Sequence, residues 1–290
     1  MNDYVISVLL GIVEGLTEFL PVSSTAHLRI CEALFHLDLA DAYWKMYTIV
    51  IQLGAILALL LLFTGRIANF MRTFPRGENG DRTIWTHPLS LTMIAFVFTA
   101  GPSYLLTKVI GKHLESLVLM ASALVIGGII MWAVDEYSRR SDPQTDRIEK
   151  MSLGQAIWIG ICQILSAVFP GTSRSMSTIT AGEIAGMTLP AALEFSFLLS
   201  IPTMIAATGY DLLRTLHPKH TAAAEAIAPL TMDGHRWIVL AIGFVVSFFV
   251  ALGVVEWFLS WVRRHGLAPF AIYRIVVGAI ILVAVFRHWM

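Results

Sequence analysis

Charged residues are scarce in this sequence. Lys, Arg, Asp and Glu make up 14% of the 290 residues, whereas 57% are hydrophobic and the mean hydropathy is +0.73. A soluble domain typically has about 25% charged residues, so the composition excludes an ordinary soluble domain and indicates a membrane protein. The formal net charge is zero and the chain has no basic arm, which argues against a nucleic-acid partner.

Cysteine is also rare. The two cysteines, Cys31 and Cys162, fall in or beside apolar segments and do not have the spacing of a metal-binding motif. We therefore expect neither a thiolate metal site nor a disulfide.

Long apolar segments dominate the rest of the chain. A bilayer-spanning helix needs about 20 mostly apolar residues. Six segments meet this requirement: 44–63, 89–107, 116–134, 191–212, 237–262 and 267–286.

Two further apolar segments, 4–28 and 153–178, are interrupted. Each breaks at a proline followed by a polar run, LPVSSTAHL from Leu20 and FPGTSRSMS from Phe169. Proline and clustered Ser and Thr disfavour a continuous helix, and a backbone break cannot face lipid. We predict two re-entrant helix–turn–helix hairpins whose turns are buried in protein or line a cavity.

The two interrupted segments are related in sequence. A shift of 149 residues aligns Gly11 with Gly160, Leu16 with Leu165, Pro21 with Pro170 and Ser24 with Ser173. The segment ASALVIGGII from Ala121 likewise matches AIYRIVVGAI from Ala271. These matches indicate that the chain contains two copies of one unit.

The predicted fold is an all-α polytopic membrane protein forming a single integral membrane domain, 1–290. The first repeat, 1–150, has its hairpin at 4–35, and the second, 151–290, has its hairpin at 153–180. Because three spans follow each hairpin, the second copy must cross the membrane in the opposite direction, which makes an inverted-topology repeat. A small excess of basic residues in the predicted inner loops favours both termini outside.

Two carboxylates lie within the first interrupted segment. Glu14 and Glu18 are four residues apart and so share one helix face. Such a pair can hold a divalent cation such as Mg²⁺ or Ca²⁺, or act as acid and base. Alternatively, the two side chains reach water or a basic partner.

The polar turn after Pro21 has the features of an anion site. Ser23, Ser24 and Thr25 can cap a second helix whose free N–H groups would bind phosphate. Capping without a ligand is the alternative. His27 lies close enough to act as acid, base or nucleophile, although it can also be structural.

The second turn, PGTSRS, repeats this design and adds Arg174, whose planar guanidinium suits phosphate. Gly171 allows close approach of the backbone to a ligand. The predicted diphosphate-binding residues are Ser23, Thr25, Gly171, Thr172, Ser173, Arg174, Ser175 and Thr178. Arg174 can also pair with Glu14 or Glu18.

Other polar residues in the apolar segments carry weaker signals. We expect Glu194 and Arg274 to be structural, either near helix ends or paired between helices. Gln52 lies in the middle of a span and can face a cavity.

The segments EGLTEFLPVSSTAH and PGTSRSMST, together with QLGAILA and EFSFLLSIPTM, resemble the undecaprenyl-diphosphate phosphatase family, also called bacitracin-resistance proteins. The similarity covers essentially the whole chain. The resemblance implies removal of the terminal phosphate from the C55 isoprenyl diphosphate carrier, which recycles the carrier for cell-wall synthesis. It also implies a divalent cation and a site that opens to the outer face of the bacterial inner membrane.

The family motifs fall on particular residues of this chain. The (E/Q)xxxE motif falls on Glu14 and Glu18, the catalytic serine on Ser24, the histidine on His27 and the phosphate-binding arginine on Arg174. One position departs from the pattern, because Ala26 stands where the family commonly has glycine before the histidine.

The sequence therefore predicts a phosphatase that acts on a polyprenyl diphosphate within membrane lipid and can form a homodimer. The catalytic residues would be Glu14, Glu18, Ser24, His27 and Arg174, with the cation on Glu14 and Glu18. The nucleophile is Ser24, His27 or an activated water molecule. The alternative is a proton-coupled transporter or flippase of a polyprenyl phosphate or other anion, since inverted repeats with broken helices are also a transporter design.

Overall fold

The computed structural model describes residues 2–37, 41–110, 116–216 and 232–287. These residues contain a short 3₁₀ turn, Ile148–Lys150, and no β-strand. They form the following α-helices: α1 Asp3–Thr17, α2 Ser24–Leu34, α3 Ala42–Thr73, α4 Pro88–Ile110, α5 Leu117–Arg140, α6 Leu153–Val168, α7 Arg174–Ile184, α8 Leu189–Leu216, α9 Gly234–His265 and α10 Ala268–Phe286.

Six of these helices, α3, α4, α5, α8, α9 and α10, are long and apolar enough to cross a membrane. The all-α fold and the six predicted spans are therefore confirmed, and the chain is a multi-pass membrane protein. Several helices extend beyond the predicted ranges. The helix α3, for example, continues for ten residues past 63, because the apolar stretch ends there but the helical hydrogen bonds do not.

The C-terminal half of α3 is held by charged side chains. Arg66 hydrogen-bonds Glu194 of α8, and its Nη1 lies 2.7 Å from a carboxylate oxygen of Glu149 in the 3₁₀ turn. Glu194 thus pairs between helices, as the sequence predicted. Buried apolar residues from α3, α6, α7, α8 and α9, among them Phe197 and Phe258, form the largest core cluster next to this contact.

The two interrupted segments fold as pairs of helices. Residues 18–23 join α1 to α2, and residues 169–173 join α6 to α7. Ser23 and Ser173 cap α2 and α7, and each accepts a hydrogen bond from the N–H three residues later. Both serines have positive φ, 75° and 72°, a strained conformation that is found mostly at functional sites.

The caps correct one detail of the repeat. A shift of 149 residues matches Ser24 to Ser173, but the structure matches Ser23 to Ser173, because the second turn has one more residue after its proline. The sequence alignment is therefore wrong after the proline. The first residue of α2, Ser24, corresponds to the first residue of α7, Arg174.

The packing of α5 against α10 is reciprocal. A Cβ atom on Gly128 would lie 2.8 Å from the carbonyl oxygen of Ala271, and one on Gly278 would lie 2.8 Å from that of Ala121. Each contact matches the other at a separation of 150 residues. This reciprocity supports a two-fold relation between the halves. The opposite crossing direction, the re-entrant course and the two repeat units stay predictions.

We expect Gly128→Ala and Gly278→Ala each to lower the melting temperature of the purified protein in detergent. Alanine favours a helix over glycine, but here its methyl group would meet a backbone carbonyl, at a cost of roughly 1–3 kcal/mol. Gly253→Ala on α9 is the control, since no described atom lies within 4 Å of its added Cβ. A melting temperature unchanged in both variants would contradict the close crossing.

Candidate active site

The two turns are joined by a hydrogen bond. Ser175 at the start of α7 donates its hydroxyl to the carbonyl of Leu20 in the first turn, at 2.9 Å. It also lies 3.0 Å from the hydroxyl of Ser173. A side chain of α7 therefore links the second turn to the first.

Arg274 of α10 joins both turns to the rest of the protein. Its guanidinium donates to the carbonyls of Pro21 at 3.0 Å, Gly171 at 3.1 Å and Thr172 at 3.0 Å. A fourth contact reaches Ala123 of α5 at 3.2 Å. Arg274 is fully buried, so the carbonyls that the breaks release are satisfied by a charged donor. Arg274 therefore has a structural role, as expected, and its partners are backbone carbonyls.

A cavity with a volume of 430 Å³ lies between the turns. Both turns line it, and residues of α3, α5, α6 and α8 complete its lining. Its polar lining consists of Glu18, Ser23, Ser24, Thr25, Arg29, Gln52, Ser166, Ser173, Arg174 and Thr203. The first N–H groups of α2 and α7 have no partner within their own helices, so two helix N-termini adjoin one polar cavity.

Glu18 connects the two turns inside this cavity. The hydroxyl of Ser24 donates to one carboxylate oxygen of Glu18 at 2.5 Å, and Arg174 donates to the other oxygen at 3.1 Å. The Nε and Nη1 atoms of Arg174 are buried without a hydrogen-bond partner among the described residues. Glu18 can therefore accept the proton of Ser24, while Arg174 keeps donors for an anion.

Glu14 lies beside Glu18 and is fully buried. Neither of its carboxylate oxygens has a hydrogen-bond donor among the described residues. Two neighbouring carboxylates are stable in such a place only with a cation or a shared proton. The oxygen-only donor set suits Mg²⁺ or Ca²⁺, and Mg²⁺ sites commonly combine one or two carboxylates with substrate phosphates.

His27 is held away from the cavity lining. Its Nδ1 donates to the carbonyl of Ser23 at 2.8 Å, and its Nε2 lies 2.7 Å from the hydroxyl of Tyr273 of α10. The rings of His27 and Tyr273 are also stacked, 5.6 Å apart. Because the carbonyl can only accept, Nδ1 carries the proton and Nε2 accepts from Tyr273. Ser24 is thus paired with Glu18, and His27 with Tyr273.

The predicted diphosphate-binding residues fall in two groups. Ser23, Thr25, Gly171, Ser173 and Arg174 line the cavity. The other three do not line it. Thr172 faces a separate groove, Ser175 is bonded between the turns, and Thr178 is buried and bonded to Ser196 of α8 at 2.6 Å.

Sequence reasoning missed several residues of the cavity. Arg29, Ser166 and Thr203 line it together with Gln52, for which a cavity position was predicted. Arg29 lies four residues after Thr25, a spacing that places both on one face of α2, so this signal was available. Ser166 and Thr203 are single small polar residues in apolar helices and carry no signal of their own.

The comparisons with known proteins point to one family. The family model of bacitracin resistance protein BacA matches residues 7–280. An undecaprenyl-diphosphatase of Koribacter versatilis is 64% identical over 97% of this chain and 98% of its own length. Undecaprenyl-diphosphatases of Caldanaerobacter subterraneus and Bradyrhizobium diazoefficiens are 40% and 38% identical, over 94% and 98% of this chain and 93% and 98% of their own lengths.

We expect Arg274→Met to lower the melting temperature in detergent by at least about 5 °C, because it leaves buried carbonyls of both turns without a donor. Arg264→Met, at an exposed position on α9, is the control and should melt like the wild type. Equal melting of the two variants would show that Arg274 does not hold the turns.

Proposed function

The chain belongs to the bacitracin resistance protein BacA family, and on that premise we propose that it hydrolyses undecaprenyl diphosphate to undecaprenyl phosphate and inorganic phosphate. This reaction recycles the lipid carrier for cell-wall synthesis and confers resistance to bacitracin. The observation that carries the proposal is the hydrogen-bonded series Ser24–Glu18–Arg174, which lies in a cavity between two helix N-termini.

The first step is attack on the terminal phosphorus. The diphosphate would bind at the N-termini of α2 and α7, where N–H groups and Arg174 neutralise its charge. The oxygen of Ser24 forms a bond to the terminal phosphorus while its proton passes to Glu18. The bond from that phosphorus to the bridging oxygen breaks, and undecaprenyl phosphate leaves with the electron pair.

The second step restores the serine. Water attacks the phosphoserine, the bond to the Ser24 oxygen breaks, and inorganic phosphate is released with both protons of that water on its oxygens. Glu18 returns the proton that it took in the first step to Ser24. In a one-step variant, water activated by Glu18 attacks the substrate directly and Ser24 only binds it. His27, fixed by Ser23 and Tyr273, would support the position of the first turn in either route.

We propose that the site also binds a divalent cation. Glu14 and Glu18 would hold Mg²⁺ or Ca²⁺, as the carboxylate oxygens of Glu14 without donors suggest. Such an ion would offset the negative charge of the phosphates. Arg174 would contact the substrate through its Nε and Nη1 atoms, which have no hydrogen-bond partner among the described residues.

The alternative of a proton-coupled transporter or flippase is not favoured. The relatives are named as diphosphatases, and transport does not need a serine paired with a carboxylate. We place the protein in the bacterial inner membrane, with the cavity open to the periplasmic face. A homodimer stays a prediction.

The proposal is tested by phosphate release from undecaprenyl diphosphate by the purified full chain in detergent, with and without EDTA. We expect Glu18→Gln and Arg174→Lys each to lower kcat/KM about 100-fold or more, because each removes a group that binds or receives charge in the transition state. EDTA should abolish release, and Mg²⁺ or Ca²⁺ should restore it.

Glu256→Gln on the exposed side of α9 is the matched control and should retain wild-type kcat/KM. Binding of the diphosphate lipid by folded wild-type protein without any phosphate release would refute the enzyme and revive the transporter.

Ser24→Ala separates the two chemical routes. With serine as the nucleophile, we expect kcat to fall at least about 1,000-fold and the wild type to form a phosphoserine at position 24 during turnover. Rapid quenching followed by mass spectrometry of the peptide would detect it. A loss of less than about tenfold, with no phosphopeptide, would instead assign the attack to water.

A further inference from the structure

A second cavity lies behind the second turn. This groove has a volume of 390 Å³ and runs between α5, α6 and α7. Most of its lining is apolar, including Leu119, Ala123 and Ile126 of α5, Leu165 of α6, and Met176 and Ile184 of α7. Nothing in the reaction at Ser24 uses these residues.

One backbone contact separates the groove from the polar cavity. Gly171 of the second turn lies against Met120 of α5, so closely that a Cβ on Gly171 would meet the carbonyl oxygen of Met120. Met120 and Gly171 line the polar cavity, whereas their neighbours Leu119 and Thr172 line the groove. The cavity and the groove are therefore adjacent, separated by a single residue of each element.

The groove is also open at its side. Among its lining residues, Ile126, Leu165 and Ile184 are 57%, 49% and 50% exposed. In a membrane this exposure is to lipid, so a chain lying in the groove can continue into the bilayer. A closed pocket would limit chain length, and an open one does not.

We propose that this groove binds the isoprenyl units next to the diphosphate of the substrate. The inference rests on the proposed function, because it takes its ligand from that reaction. The groove and the cavity together match an amphiphile that carries a charged head and an apolar chain. Lipid tails are as apolar as the chain, so close packing against the branched isoprenyl methyl groups provides the preference. The groove thus positions the phosphorus at Ser24 and selects a branched chain.

The test compares two tryptophan variants on one helix. Ile126→Trp fills the groove, whereas Ile129→Trp places the same side chain at a position 53% exposed that does not line it. The substrates are farnesyl diphosphate and isopentenyl diphosphate, which carry the same head on a long and a short chain. We expect the ratio of the KM for farnesyl diphosphate to that for isopentenyl diphosphate to rise about tenfold or more in Ile126→Trp, and to stay at the wild-type value in Ile129→Trp.

A direct measurement does not depend on turnover. A farnesyl diphosphate analogue with a benzophenone in its chain should label peptides of α5 and α7 in the full chain. Unlabelled farnesyl diphosphate should suppress this labelling, and the same concentration of phosphatidylglycerol should not. Suppression by both lipids would show a groove for ordinary acyl chains and overturn the proposal.

The remaining outcomes separate the groove from the reaction. An unchanged KM ratio in Ile126→Trp, or labelling confined to other helices, would overturn the groove while phosphate release by the wild type keeps the proposed function. Labelling of α5 and α7 without phosphate release would retain the groove and refute the phosphatase.

Discussion

The structure depends on how the backbone carbonyls of two interrupted helices are satisfied away from water. Each turn leaves carbonyls that receive no hydrogen bond from a helix N–H group, and an unsatisfied buried group in a membrane costs several kcal/mol. The guanidinium of Arg274 takes three of these carbonyls, from Pro21, Gly171 and Thr172, and one from α5. Together with Ser175, which donates to the carbonyl of Leu20, this side chain holds the two turns next to each other.

The two halves contribute different chemistry to one cavity. Ser24 and Arg174 occupy the same position, the first residue after a serine cap, yet one is a candidate nucleophile and the other a fixed cation. Glu14 of the first half corresponds to Gln163 of the second, which donates to Thr203 and carries no charge. An anion bound in the cavity would therefore meet a carboxylate and a hydroxyl on one side and a guanidinium on the other.

Much of this arrangement could be predicted from the sequence. Apolar segment length determines the six spanning helices, and proline followed by clustered Ser and Thr marks both breaks, because each signal is local. The partners of individual side chains were not predictable. The pairing of His27 with Tyr273 joins residues 246 apart, and Arg274 gave no sign that its ligands would be carbonyls. The register of the repeat after Pro170 was not predictable, because matching identical residues does not reveal the extra residue in the second turn.

The contact between Gly171 and Met120 divides the interior into a polar and an apolar compartment. In a diphosphate lipid bound across this contact, the phosphates would lie in the polar cavity and the isoprenyl chain in the apolar groove before the bond is cut. Its products would then leave by separate exits, inorganic phosphate into water and the shortened lipid into the bilayer. Accumulation of one product would then not block release of the other. Removal of either product would favour hydrolysis.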